Sequence, residues 1–128
     1  MPESYSESAL RHIADADLLA DRNHLDGAGY LIGFAVECAI KFAIIATRPT
    51  ADTPHMHLPK LVEGAKKTLS GRRKHAIFTV IERASFMQGW SINVRYASDG
   101  AVDTNQFRRW RTDASRALAA ANLRCKRP

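Results

Sequence analysis

Apolar side chains recur at three- and four-residue spacing through most of this chain, the signature of amphipathic helices. Leu10, Ile13, Ala14 and Leu18, with Asp17 beside them, place a modest apolar stripe on a first helix over roughly 7–22. Ser4 and Glu7 have capping-box spacing, Ser6 is a rival N-cap, and residues 1–6 read as a flexible lead-in. Asp26-Gly27 interrupts the pattern and predicts a tight turn. Ala28 to Thr47 then reads AGYLIGFAVECAIKFAIIAT, apolar almost all round. As a helix it spans about 30 Å, enough to cross a bilayer. Gly29 and Gly33 even have the spacing that lets membrane helices approach closely. Against a membrane span stand Glu37 and Lys41, each costly at a bilayer centre. Four apart with Glu first, they suit an ion pair on a helix in water. The segment is therefore expected to be the central helix of a bundle, with Glu37 and Lys41 as a partly buried pair. Its exposed part, with Gly29 and Gly33, is the expected surface for a second copy.

Arg48-Pro49 ends that helix, and residues 48–57 are a loop by composition. Leu58, Leu61, Val62 and Ala65 open a shorter third helix with Pro59 in its first turn, and Ser70-Gly71 is a break. A fourth helical stretch is expected over 72–88, with Ile77, Val80, Ile81 and Ala84 facing inward. Gly89 to Asp103 is irregular, with an Asp99-Gly100 turn and a short segment, Ser91 to Val94, that could be extended. Asp103 or Thr104 caps a last helix running to about Leu123. Its apolar stripe is Phe107, Trp110, Ala114, Ala117, Leu118 and Ala121. No pair of strands is visible and the connections are short. The expected architecture is all-α, one domain over 1–128, an antiparallel bundle of four to five helices with a flexible tail at 124–128.

Length and composition agree with one soluble domain: 128 residues, 45% apolar and 25% charged. Cys38 lies in an apolar run and Cys125 in the basic tail, a spacing for neither a zinc site nor a disulfide framework. No secretory leader pattern opens the sequence, so a cytoplasmic location is expected. The net charge of +6 is uneven. Residues 1–47 hold three basic and seven acidic side chains; residues 48–128 hold sixteen basic and six acidic. Such an asymmetry fits an acidic partner such as nucleic acid, or the solvation of exposed helix faces.

Several strings carry a resemblance. AGYLIGFAVECAIKF, residues 28–42, resembles the central helix of HEPN domains, with Tyr30, Gly33, Ala35, Glu37, Ala39, Ile40 and Lys41 at matching positions. Ala16 to Leu19 and Asp26 match the approach to that helix. His57-Leu58 with Leu61 resembles the opening of the next one, and Trp90 through Arg95-Tyr96 resembles the Arg-Tyr element before an alanine-rich last helix. The resemblance covers nearly the whole chain. It implies a HEPN-like homodimer. Many members act on RNA in toxin–antitoxin, stress and defence modules, and many pair with a nucleotidyltransferase. Others bind nucleotides or serve as accessory modules without catalysis.

Active HEPN ribonucleases use an Arg and, beyond it, a His with four to six residues between them, and need no metal or other cofactor. The imidazole can move a proton near neutral pH and the guanidinium can hold the scissile phosphate. Arg95 matches the Arg, but the positions for the His hold Gly100, Ala101 and Val102, so the motif is incomplete. Arg48 and His55 fit by counting but lie in the proline-broken loop. His57 either secures the start of the third helix or approaches Arg95 in space and replaces the missing His. A metal held by His55 and His57 is a further alternative, with too few ligands to argue a site. His12, His24 and His75 read as ordinary surface or core-edge residues. Tyr30 and Tyr96 either pack in the core or stack on bases. Arg108, Arg109, Arg111 and Arg116 could track phosphates, as could Lys66, Lys67, Arg72, Arg73 and Lys74. The expected reading is RNA or nucleotide binding with Arg95, His57, Tyr96, Arg108, Arg109 and Arg111 at the site. The alternative is a non-catalytic module for a partner such as a nucleotidyltransferase.

Overall fold

Local capping decides where the first helix begins and ends. The Ser4 hydroxyl accepts the Glu7 N–H at 3.4 Å, and helix α1 runs Tyr5–Asp21. At its end Asn23 adopts a φ of 62°, while the Asn23 and His24 amides return to the Ala20 and Leu19 carbonyls. This is a Schellman closure with Asn in the place usually taken by Gly. The turn therefore falls at Asn23, not at Asp26-Gly27, and those two residues sit in the first turn of α2, Leu25–Thr47. The computed structural model describes residues 4–47, 56–69 and 75–123. Among them lie three more helices, α3 Lys60–Thr68, α4 Ala76–Ile81 and α5 Thr104–Ala120, and a 3₁₀ turn at Ile92–Tyr96. The described residues form no strand, so the chain is an all-α helical bundle.

The long helix α2 is the axis of the fold, packing against α1, α3, α5 and the 3₁₀ turn. It is long and apolar enough to cross a membrane, but 61% of its most apolar window is buried inside the protein, as a core helix requires. Its Gly29 and Gly33 are buried, and the space beside them is filled from within the chain. A Cβ at Gly29 would lie 3.0 Å from Trp110 Cζ3 and 3.1 Å from Val102 Cγ1. A Cβ at Gly33 would overlap the Trp90 indole. That indole donates Nε1–H to the Gly29 carbonyl at 2.9 Å. The close approach expected of a second copy at Gly29 and Gly33 is thus made by two tryptophans of the same chain.

The second half departs from its hydrophobic pattern. Of the helical stretch expected over 72–88, the described residues 75–88 are α-helical at Ala76–Ile81 and not beyond, and Ala84 is exposed rather than inward-facing. Helix α5 takes the backbone groups that would have continued it. Asp113 Oδ2 accepts the Met87 N–H at 2.9 Å, and Trp110 Nε1–H donates to the Gln88 carbonyl at 2.9 Å. Met87 and Gly89 have positive φ, which no helix accommodates. Ser91 to Val94 enters the 3₁₀ turn instead of an extended segment. Helix α5 begins where expected: the Asp103 carboxylate accepts the Gln106 N–H at 2.7 Å. It buries Phe107, Trp110, Ala114, Ala117 and Leu118 and closes on Asn122 as α1 does on Asn23.

Carboxylates of the first two helices clip the second half in place. Asp26 accepts the Gly100 N–H at 2.8 Å and the Val102 N–H at 2.9 Å, holding the Asp99-Gly100 turn against the start of α2. Asp17 receives both Nε and Nη2 of Arg111 at 2.8 and 2.9 Å, a bidentate bridge from α1 to α5.

Two predictions follow from this packing. Gly33→Ala is expected to lose about 2 kcal/mol or more in urea unfolding, because the indole must move. Gly27→Ala is the control, since its Cβ would meet Leu19 Cδ1 at an ordinary 3.4 Å; there helix propensity predicts a gain of up to about 1 kcal/mol. The Gly100 amide first, then that of Val102, hold the Asp26 carboxyl below its ordinary 3.8. A lowered folded pKa contributes stability above the unfolded value, lost as pH falls through the folded one. The difference in unfolding midpoint between wild type and Asp26→Asn should therefore be full at pH 6 and shrink below pH ~4.

Candidate functional site

One face of α2 carries Tyr30, Phe34, Glu37 and Lys41, at helical spacings of three and four. Tyr30 and Phe34 meet edge to face with centroids 4.7 Å apart. Phe34 also meets the rings of Trp90, His57 and His12 at 6.0, 6.2 and 6.0 Å. The 3₁₀ turn brings Arg95 onto one end of this row. Its Nε–H donates to the Tyr30 hydroxyl at 2.7 Å and its Nη1 to the Tyr96 hydroxyl at 3.4 Å. The guanidinium carbon lies 5.3 Å from the Tyr30 ring centre and 5.5 Å from that of Tyr96. The bond to Tyr30 first, then that to Tyr96, push the already high Arg95 pKa further up. Tyr96 is 75% exposed, so of the two tyrosines only Tyr30 is partly packed.

Along the same row, Glu37 is the one buried charged side chain among the described residues. Its Oε1 lies 3.0 Å from His57 Nδ1, and its Oε2 accepts the Leu58 N–H at 2.9 Å. The expected Glu37–Lys41 pair is replaced: both carboxylate oxygens serve the lead-in to α3, and Lys41 lies 5.7 Å from the Tyr5 ring centre. The reason is burial. A carboxylate inside the protein needs donors on each oxygen, and a backbone amide and an imidazole reach it there. His57 fulfils the structural expectation, since its carbonyl also accepts the Leu61 N–H at 2.9 Å. Its side chain is 45% exposed. Nδ1 is turned to Glu37, so Nε2 is the ring nitrogen that does not face the carboxylate. Arg95 and His57 thus join one aromatic row at different rings, Tyr30 and Phe34.

The positions where a histidine would follow Arg95 serve the backbone, since the Gly100 and Val102 amides are the ones held by Asp26. His12 is held below its usual 6.5 by burial and then by neighbouring Arg11, which favours the neutral ring at pH 7. His75 caps α4 by accepting the Ile77 N–H and lies 3.1 Å from Thr47 Oγ1 through its other nitrogen, a helix-tying role its isolation in sequence hid. Among the described residues no three His, Cys, Asp or Glu side chains gather as metal ligands. Arg48, His55, Ser70-Gly71, Arg72, Arg73, Lys74, Cys125 and the 124–128 tail lie outside the described residues. Lys66 pairs with Glu63 at 3.5 Å.

The arginines of α5 divide. Arg111, grouped from sequence with Arg108 and Arg109, turns to Asp17 instead. Arg108, Arg109 and Arg116 line a groove of about 550 Å³ between α5 and the 85–89 turn, together with Gln88, Gln106 and Asp113. The sequence reading missed Phe34, which links the row, and the Gln88 side of the groove. Phe34 sits one helical turn beyond Tyr30, a spacing that could have marked it; the turn at Gln88 had no such signal.

Glu37→Leu is expected to cost about 1–3 kcal/mol, because the Leu58 amide loses its partner in a buried position. Hydrogen exchange at Leu58 and through the first turn of α3 should quicken, while exchange in α5 stays unchanged. Comparison with known proteins adds no relative to this geometry: no family model, no curated protein and no solved structure matches the chain.

Proposed function

We propose that this chain is a HEPN-like, homodimeric cytoplasmic protein of a toxin–antitoxin, stress or defence module that binds RNA through Arg95, Tyr30 and Tyr96. The observation carrying this reading is the exposed guanidinium set between two phenols. The hydroxyls of Tyr30 and Tyr96 orient it and leave its remaining donors for a phosphate. The exposed Tyr96 ring offers a stacking surface for a base. His57, with Nδ1 turned to Glu37, supplies a proton-transfer group on the same row. Metal-independent cleavage would pair these roles, with Arg95 on the phosphate and His57 on the 2′-hydroxyl or the leaving oxygen.

A second reading is favoured by one specific observation. The Gly100–Val102 segment that would carry the HEPN histidine has no titratable side chain, and two of its amides are committed to Asp26. The chain would then bind without cutting and act as an interaction module for a partner such as a nucleotidyltransferase.

Titration of a labelled single-stranded RNA tests the first reading. Arg95→Ala should weaken binding about tenfold or more, the loss of a charge-assisted contact of roughly 1.5–3 kcal/mol. Unchanged affinity removes Arg95 from the site. Incubation of the same RNA with EDTA separates the two readings. Cleavage lost in both Arg95→Ala and His57→Ala supports a metal-independent ribonuclease, whereas binding that leaves the RNA intact supports the interaction module.

A further inference from the structure

The groove along α5 is separate from the Arg95 row and has a different chemistry. Arg108, Arg109 and Arg116 line it, and Arg83 joins Arg116 and Asp113 in a small adjoining cleft, so the two form one furrow. None of these four arginines takes part in the ion pairs seen among the described residues, which use His57, Lys66 and Arg111. The one carboxylate in the furrow, Asp113, already accepts the Met87 N–H through Oδ2. Arg109 donates only to the neutral Gln106 amide oxygen, at 3.3 Å. Four guanidinium groups around one carboxylate leave the furrow with a local excess of positive charge, and an anion relieves the repulsion among them. The groove offers little for a base to stack on: its aromatic residue, Trp110, is 3% exposed and its indole N–H is spent on Gln88. The ligand it suits is therefore a row of phosphates rather than a nucleobase. From Arg108 to Arg116 the helix rises about 12 Å, the length of three or so nucleotides of a stacked strand at roughly 3.4 Å each.

We infer that the α5 furrow is a second RNA-contact site, sequence-independent, which seats successive backbone phosphates on Arg108, Arg109, Arg116 and Arg83. This rests on the RNA reading above and extends it. The Arg95 row takes a phosphate beside an exposed ring, and the furrow carries the neighbouring strand by charge alone.

The two tryptophans report on the two regions. Trp110 floors the furrow, and Trp90 packs on Phe34 beside the Arg95 row. The test is a titration of ¹⁵N-labelled protein with a 12-nucleotide single-stranded RNA, following both indole signals, together with the salt dependence of binding. The proteins are wild type, Arg95→Ala, the double variant Arg108→Ala/Arg116→Ala, and Arg108→Lys/Arg116→Lys. In wild type both indole signals should shift. In the double alanine variant the Trp110 shift should vanish and the Trp90 shift persist. The slope of log affinity against log salt should fall by about 1.4, two lost phosphate contacts at ~0.7 each. The lysine pair should keep most of the slope, since charge rather than fork geometry is what the furrow uses. Binding with an unchanged slope and a Trp110 shift that persists in the double alanine variant overturns the furrow and leaves the Arg95 reading standing. Wild type that binds no RNA overturns both.

Discussion

Close approach between α2 and two indoles is the constraint on which the rest of the structure depends. Gly33 leaves the space that Trp90 fills, and Gly29 lies against Trp110 and Val102. Trp90 is fixed further by its N–H on the Gly29 carbonyl, inside the helix it packs against. Because Trp90 adjoins Ser91, the N-cap of the 3₁₀ turn, its seating determines where Arg95 emerges. Because Trp110 belongs to α5 and also holds the Gln88 carbonyl, its seating determines the groove between α5 and the 85–89 turn. Both candidate surfaces are consequences of two missing side chains on one helix.

The helices themselves were legible because their signals are local. The Ser4 cap, the Asp103 cap and the apolar stripe of α5 stand where spacing placed them. What failed was everything decided by partners distant in sequence. The pattern over 72–88 is helical in period, yet α5 withdraws its backbone groups through Trp110 and Asp113. The GxxxG spacing at Gly29 and Gly33 correctly marked close approach, but spacing does not say whether the approaching group is a second copy or an indole sixty residues on. The apolar pattern breaks at Asp26-Gly27, yet the left-handed residue that closes α1 is Asn23.

The site was legible in its members and not in its connections. Arg95, Tyr96 and His57 were marked by resemblance, and the structure brings Arg95 and Tyr96 together directly. His57 joins them only through Phe34 and Tyr30. Glu37 and Lys41 looked like each other's partners because they are neighbours on a helix. Burial decides otherwise. A lysine keeps its ammonium near solvent on a long stem, while a buried carboxylate must find fixed donors.

The charge asymmetry of the chain acquires a physical meaning from these contacts. Of the acidic residues in the first half, Asp17, Asp26 and Glu37 each accept hydrogen bonds from the second half: from Arg111, from the Gly100 and Val102 amides, and from His57 with the Leu58 amide. The acidic half is thus in part an internal clamp, and its charges are not open to neutralise the arginines of the outer α5 face. Arg111 shows what that clamp does to a guanidinium within reach. Arg108, Arg109 and Arg116 lie on the part of the same helix that the clamp does not reach. A sequence-level excess of positive charge says little about partners by itself, since charged bundle faces are common. With Arg111 set aside, Arg83, Arg108, Arg109 and Arg116 share one concave place, and that grouping is the feature a phosphate-bearing ligand would recognise.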